Sequence, residues 1–220
     1  MRKLVIELFA YLEPIERISE LLFGLIMVLT VTCSFSVAEA QRRDVRTMLL
    51  AALGCNFTWG VIDAVFYLIA RFSEQGHGIV ALRALRRTID PAEARVILAG
   101  VLPPVLASAL GPKELDLMRQ RLNELPEPPN RPRLAGEDWL AAFTIFLLVF
   151  LSTFPVVTPF LLIMKDAKLA LRVSNGIAIF LLFVMGYAFG RHAGRTAWRT
   201  GLMMVVIGAS LVGVAIRLGG

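Results

Sequence analysis

Charge is scarce in this chain. Only 18% of its 220 residues are Asp, Glu, Lys or Arg, against roughly a quarter in soluble domains, while 57% are hydrophobic and the mean hydropathy is +0.70. A water-soluble protein of this size is excluded. Cysteine is almost absent. Cys33 and Cys55 both lie inside apolar runs, which excludes an exposed disulfide framework and a CxxC site and reads as two small hydrophobes. Histidine is equally sparse: His77 and His192 stand in basic stretches near loops, without a nucleophile or a ligand-spaced partner. No phosphate-cradling glycine loop and no metalloprotease helix is present, so neither an enzyme nor a permanently bound cofactor is expected. A cleavable leader is not expected either, because the first apolar run, LVIELFAYLE, is short, contains Glu7 and ends in charge and proline. It reads as a helix lying at the membrane interface, with Val5, Ile6, Leu8, Phe9 and Leu12 buried, or as an extension of the first span.

What the chain has in abundance is long apolar runs. About 20 apolar residues at 1.5 Å rise cross a hydrocarbon core of about 30 Å, and five stretches qualify: roughly 17–39, 47–70, 139–164, 173–190 and 198–218. The expected fold is all-α, a polytopic membrane protein of about five transmembrane helices with a helical cytosolic insert between the second and third. The expected organisation is 1–71 for the interfacial helix and first two spans, 72–138 for the insert with its proline-rich linker, and 139–220 for the last three spans.

The formal charge of +6 and pI near 9.9 point to topology rather than to nucleic acid, since in a membrane protein basic residues gather on the cytoplasmic side. With the N-terminus inside, sixteen of the 23 basic residues fall on the inner side. The insert reads as three helices, ALRALRRTID, PAEARVILAGVLPPVLASAL and GPKELDLMRQRLNEL, followed by the linker PEPPNRPRLAGED. Asp90 before Pro91 is an N-cap with proline at the first helical position, and Gly111-Pro112 breaks and restarts the chain. The linker is of extended character.

An ionisable group at membrane depth is a functional hypothesis. Asp63 lies about eight residues, or roughly 12 Å, into the second span. It reads either as a proton carrier or cation ligand, or as an Asp tied to a neighbouring helix by hydrogen bonds. By residue counting Met27 reaches a similar depth in the first span, and a thioether beside a carboxylate suits a borderline transition-metal ion; packing filler is the other reading. Asn56, two turns before Asp63, and Glu20, near the start of the first span, are candidate pathway-lining residues. Asn56-Phe-Thr58 matches a glycosylation pattern but is embedded in a span. Pro155 and Pro159 are expected to kink or break the third span. Gly186 and Gly190 form a GxxxG pattern and, with Gly201, Gly208 and Gly213, suit close helix packing.

Three stretches carry a family resemblance: RISELLFGL from Arg17, FPVVTPFLL in the third span and TGLMMVVIGASLVGVAIRLG in the last. With the five-span plan and the long insert, they make the chain similar to the vacuolar iron transporter family of plants, yeast and bacteria. The resemblance implies a homodimer with its ion path between the first spans, moving ferrous or a similar divalent ion such as manganese against protons. For this chain it implies a multi-pass protein of a bacterial cytoplasmic membrane, with metal and protons as substrates.

Two departures stand beside it. The family's first span carries an Asn-Asp-Gly turn where this chain has Ile26-Met27-Val28, and Asp63 takes the place of the second span's inward methionine, so the two ligand types are exchanged. The family's insert opens with a glutamate-rich helix, whereas Arg83, Arg86 and Arg87 stand here. These arginines suit anionic lipid headgroups or an acidic partner. The competing expectation is therefore a non-transporting membrane scaffold or regulator that works through the basic insert.

Overall fold

The computed structural model describes residues 12–34, 42–163 and 166–217. The proposed interfacial helix over 1–11, apart from a buried Leu12, and the Cys33 side chain lie outside the described residues. All regular structure among the described residues is helical: α1 Pro14–Ser34, α2 Arg42–Arg87, α3 Pro91–Val101, α4 Pro104–Ala109, α5 Pro112–Glu124, α6 Gly136–Leu162, α7 Ala167–His192 and α8 Ala197–Arg217. The chain is a helical membrane protein. Stretches of α2, α6 and α7 are each long and apolar enough to cross a bilayer, and α8 offers a shorter apolar stretch over Ala197–Leu211.

Several boundaries differ from the sequence reading. The second span does not end near Ala70. Its helix continues to Arg87, 46 residues in all, and absorbs ALRALRR. Nothing in residues 71–87 stops a helix: there is no proline, and Gly76 and Gly78 each cost only about 1 kcal/mol against alanine. Conversely, the second insert segment is two helices, because Pro103 and Pro104 cannot donate to the turn before them. In the third span Pro155 and Pro159 do not break α6, which runs through both. Neighbouring hydroxyls engage carbonyls there: Ser174 Oγ of α7 donates to Val156 O at 2.6 Å, and Thr158 Oγ1 to Phe154 O at 2.6 Å. These bonds lie beside, not on, the carbonyls of Leu151 and Pro155 that lose their helical donors to the two prolines.

Two compact units are present, one from the described residues up to Phe66 together with those from Glu137 onward, the other Tyr67–Gly136. In the first, α1 carries the central stripe. Ile18, Leu22, Leu25 and Leu29 recur at helical spacing and pack with Ala52, Val156, Val157, Ala178 and Leu182. Side chains on the opposite faces, Phe154, Phe180 and Val206 among them, are exposed, as befits surfaces that meet lipid. Lipid tails are as apolar as leucine, so close packing rather than hydrophobic exclusion joins these helices. The GxxxG pair shows it. A Cβ on Gly186 would stand 3.0 Å from Gly201 Cα, and one on Gly190 2.9 Å from Ala197 Cα, so the small residues of α7 face those of α8. Gly208 is pressed against Leu182, while Gly213 has open space.

The second unit has its own small core of Leu85, Ala94, Leu98 and Leu115. Asp90 caps α3, accepting from Ala92 N at 2.9 Å, with Pro91 at the first turn. Arg95 and Asp116 tie α3 to α5 through two bonds of 2.9 and 2.7 Å. That pairing holds the Asp116 carboxyl below its usual range and raises Arg95.

Candidate functional site

The α1–α2 register decides which polar groups meet. Both helices lie in the first unit up to Phe66, and two contacts fix them as an antiparallel pair. Asn56 Nδ2 donates to Gly24 O at 3.0 Å, and Phe23 meets Trp59 edge to face at 5.7 Å. Residue numbers across the pair therefore sum to about 80. Asp63 falls level with the first turns of α1, the stretch that carries Glu16 and Glu20, within about one turn of each. One oxygen of Asp63, Oδ2, is buried without a hydrogen-bond partner among the described residues.

The same register keeps Asp63 and Met27 apart. Met27 stands level with residues 53–55, some eight to ten residues from Asp63, or about 12–15 Å along the axis. The equal-depth estimate fails because it counted from assumed span ends, whereas α1 begins at Pro14 and α2 runs to Arg87. The register instead sets Asp63 level with the turn of α1 that runs from Glu16 to Glu20. The signal for Glu20 was the residue type, an acid early in an apolar helix, but only the register brings it within about one turn of Asp63.

Asn56 lies on the same face of α2 as Asp63, seven residues or two turns away. It is fully buried, and its amide nitrogen donates a second bond, to Thr153 Oγ1 of α6 at 2.6 Å. Its Oδ1 is buried with no partner among the described residues. Beside this node α1 and α6 approach closely: a Cβ on Gly24 would stand 2.8 Å from Val149 O and closer still to Ser152 Oγ. The burial of Asn56 also disposes of the glycosylation pattern.

Carboxylates on two neighbouring helices, one with a free buried oxygen, supply hard oxygen donors for a cation while leaving most of its coordination open. Among the described residues no three His, Cys, Asp or Glu side chains converge as a closed metal site.

The arginines nominated for lipid contact are placed otherwise. Arg86 Nη2 reaches the carbonyls of Leu122, Leu125 and Pro126 at 3.0, 2.5 and 3.3 Å. Arg83 Nη2 bonds Pro129 O at 2.9 Å and reaches Asn130 Oδ1 at 3.4 Å. Arg119 donates to Thr88 O. The last carbonyls of a helix lack partners within it, and here guanidinium groups supply them at the end of α5 and along the linker. Arg87 alone of the three nominated residues is exposed.

No curated protein matches this chain. A family model described as the VIT family matches residues 93–220, more than half of the chain. The match takes in α3 to α8 and leaves Glu20, Met27, Asn56 and Asp63 outside it. On that match the chain belongs to the VIT family, the vacuolar iron transporters.

Proposed function

We propose that this protein carries a divalent transition-metal cation of the Fe2+/Mn2+ class across a membrane in exchange for protons, loading it at Glu20 and Asp63. The observation that carries the reading is the buried Asp63 oxygen without a partner among the described residues, in a register that sets Asp63 within about one turn of Glu20 on α1. Carboxylates must be deprotonated to bind metal, so cation and proton compete for the same oxygens. That competition is the physical basis of an exchanger. Met27, deeper on the same helix, is a soft contact further along the path rather than a partner of Asp63 in one site.

The carrier works as a homodimer of five-span protomers in a bacterial cytoplasmic membrane, with the N-terminus and the insert inside, as the charge distribution favours. The scaffold alternative would work through the exposed Arg87, since Arg83 and Arg86 are hydrogen-bonded within the insert.

The test is Mn2+-driven proton flux in proteoliposomes. Asp63→Asn, close to isosteric, is expected to lower the flux by more than about tenfold, the loss of one charged ligand interaction. Unchanged flux in that variant would exclude the site.

A further inference from the structure

We propose that the Asn56 carboxamide oxygen is a second station on the cation's path, two helical turns beyond the Glu20–Asp63 pair. The inference rests on the reading of the α1–α2 interface as that path. An unpaired buried acceptor is destabilising, so a structure that keeps one without use would be disfavoured. The amide nitrogen of Asn56 is fully engaged, with Gly24 O and Thr153 Oγ1, and this fixes which end of the carboxamide is left open. The free end is Oδ1, on a side chain with 0% exposure.

The geometry of the helices continues the path. Asp63 and Asn56 share one face of α2, and Glu20, Gly24 and Met27 recur on α1 at spacings of four and three. A cation leaving the carboxylates therefore meets a neutral oxygen about 10.5 Å further on. A neutral amide suits a transit station: it offers a hard oxygen ligand without a second pair of charges to hold the cargo fast. The tie to Gly24 O aims the Asn56 oxygen by holding its nitrogen, while the bond to Thr153 joins the node to α6.

The same node could instead be a strut that merely joins α1, α2 and α6. Two variants separate the roles in the proteoliposome assay with Mn2+. Asn56→Leu removes the oxygen and is expected to lower the maximal flux on the order of tenfold, with half-saturating Mn2+ within about twofold of the parent because loading is untouched. Thr153→Val removes one bond of the strut but leaves the oxygen and its tie to Gly24, and is expected to keep flux within about threefold. Parent-like flux in Asn56→Leu, or an equal loss in Thr153→Val, overturns the proposal.

Should Asn56→Leu fail to fold by size exclusion, Asn56→Asp replaces it. That variant retains an oxygen and adds charge, so half-saturation should fall several-fold; an unchanged value overturns the station. Loss of flux in Asp63→Asn with normal flux in Asn56→Leu removes only this inference. Absence of Mn2+-driven flux in the parent protein removes both.

Discussion

The bundle and the insert treat polar groups in opposite ways. Between α1 and α2, Asp63 and Asn56 each keep a buried oxygen without a partner among the described residues. In the insert several cations are spent on the fold, Arg95 on Asp116, Arg83 and Arg86 on linker and helix-end carbonyls and Arg119 on Thr88, although Arg86 Nε is itself buried without a partner among the described residues. The costlier environment is the one that leaves its groups open. Stability argues the other way, since an unsatisfied group in a dry setting is more expensive than one in water. The difference teaches that charge in the insert is architectural, whereas polarity in the bundle is held ready for something that passes.

That contrast can be broken at several points. The largest effect on stability is expected from Arg86→Ala, which strips three carbonyls of one guanidinium. Charge-assisted bonds of this kind contribute about 1.5–3 kcal/mol. Amides at the end of α5 should lose hydrogen-exchange protection by about 2–3 kcal/mol in the full-length protein, and residues 126–135 should become accessible to protease. Unaltered protection would return Arg86 to the pool of residues available to lipid.

Next is Gly24→Ala. The added methyl meets Ser152 Oγ and the Val149 carbonyl, a backbone atom that cannot swing aside. Overpacking of this kind costs about 1–3 kcal/mol, read as a lowered Tm in detergent. Ser152→Ala in the same chain should recover only part of it, because the carbonyl contact remains. A full recovery would show that the backbones are less tightly held at the node than the structure implies.

Asp90→Ala is smaller. It removes the N-cap of α3 and should cost about 1 kcal/mol, seen as faster exchange at residues 91–94 with no change in flux. A transport defect would make the insert more than architectural.

The smallest effect is the pH response of the Arg95–Asp116 pair. The folded carboxyl titrates below its ordinary value, near 3.9 when unperturbed. Its contribution to stability is therefore fully present above that value and is lost as the pH falls through the lowered one. Both side chains are solvent-accessible, so Asp116→Asn should flatten the acid limb of insert unfolding only slightly.

The two halves of the chain also differ in what the family match reaches. Residues 93–220 match, and the span pair that carries Glu20, Asn56 and Asp63 does not. The stretches FPVVTPFLL and TGLMMVVIGASLVGVAIRLG lie inside the matched part, whereas RISELLFGL, which opens the site-bearing helix, lies outside it. Membership of the family therefore rests on α6 to α8 and most of the insert, and the proposed cation chemistry rests on the geometry of α1 and α2.

By itself the sequence determined that the chain is helical and membrane-embedded, because composition and run length are local quantities read directly against the thickness of a bilayer. It likewise determined the Asp90 cap, the restart at Pro112 and the small-residue faces of α7 and α8, each set by a few adjacent residues. Tertiary structure decided the rest. In an all-apolar helix the hydrophobic pattern does not say which face meets which, so counting from span ends paired Asp63 with Met27, whereas Gly24 and Asn56 set a register that brings it level with the turn of α1 leading to Glu20. The arginines of the insert followed the same logic. Their charge was visible in the sequence, but the carbonyls that occupy them lie about 40 residues away and are brought near only by the fold.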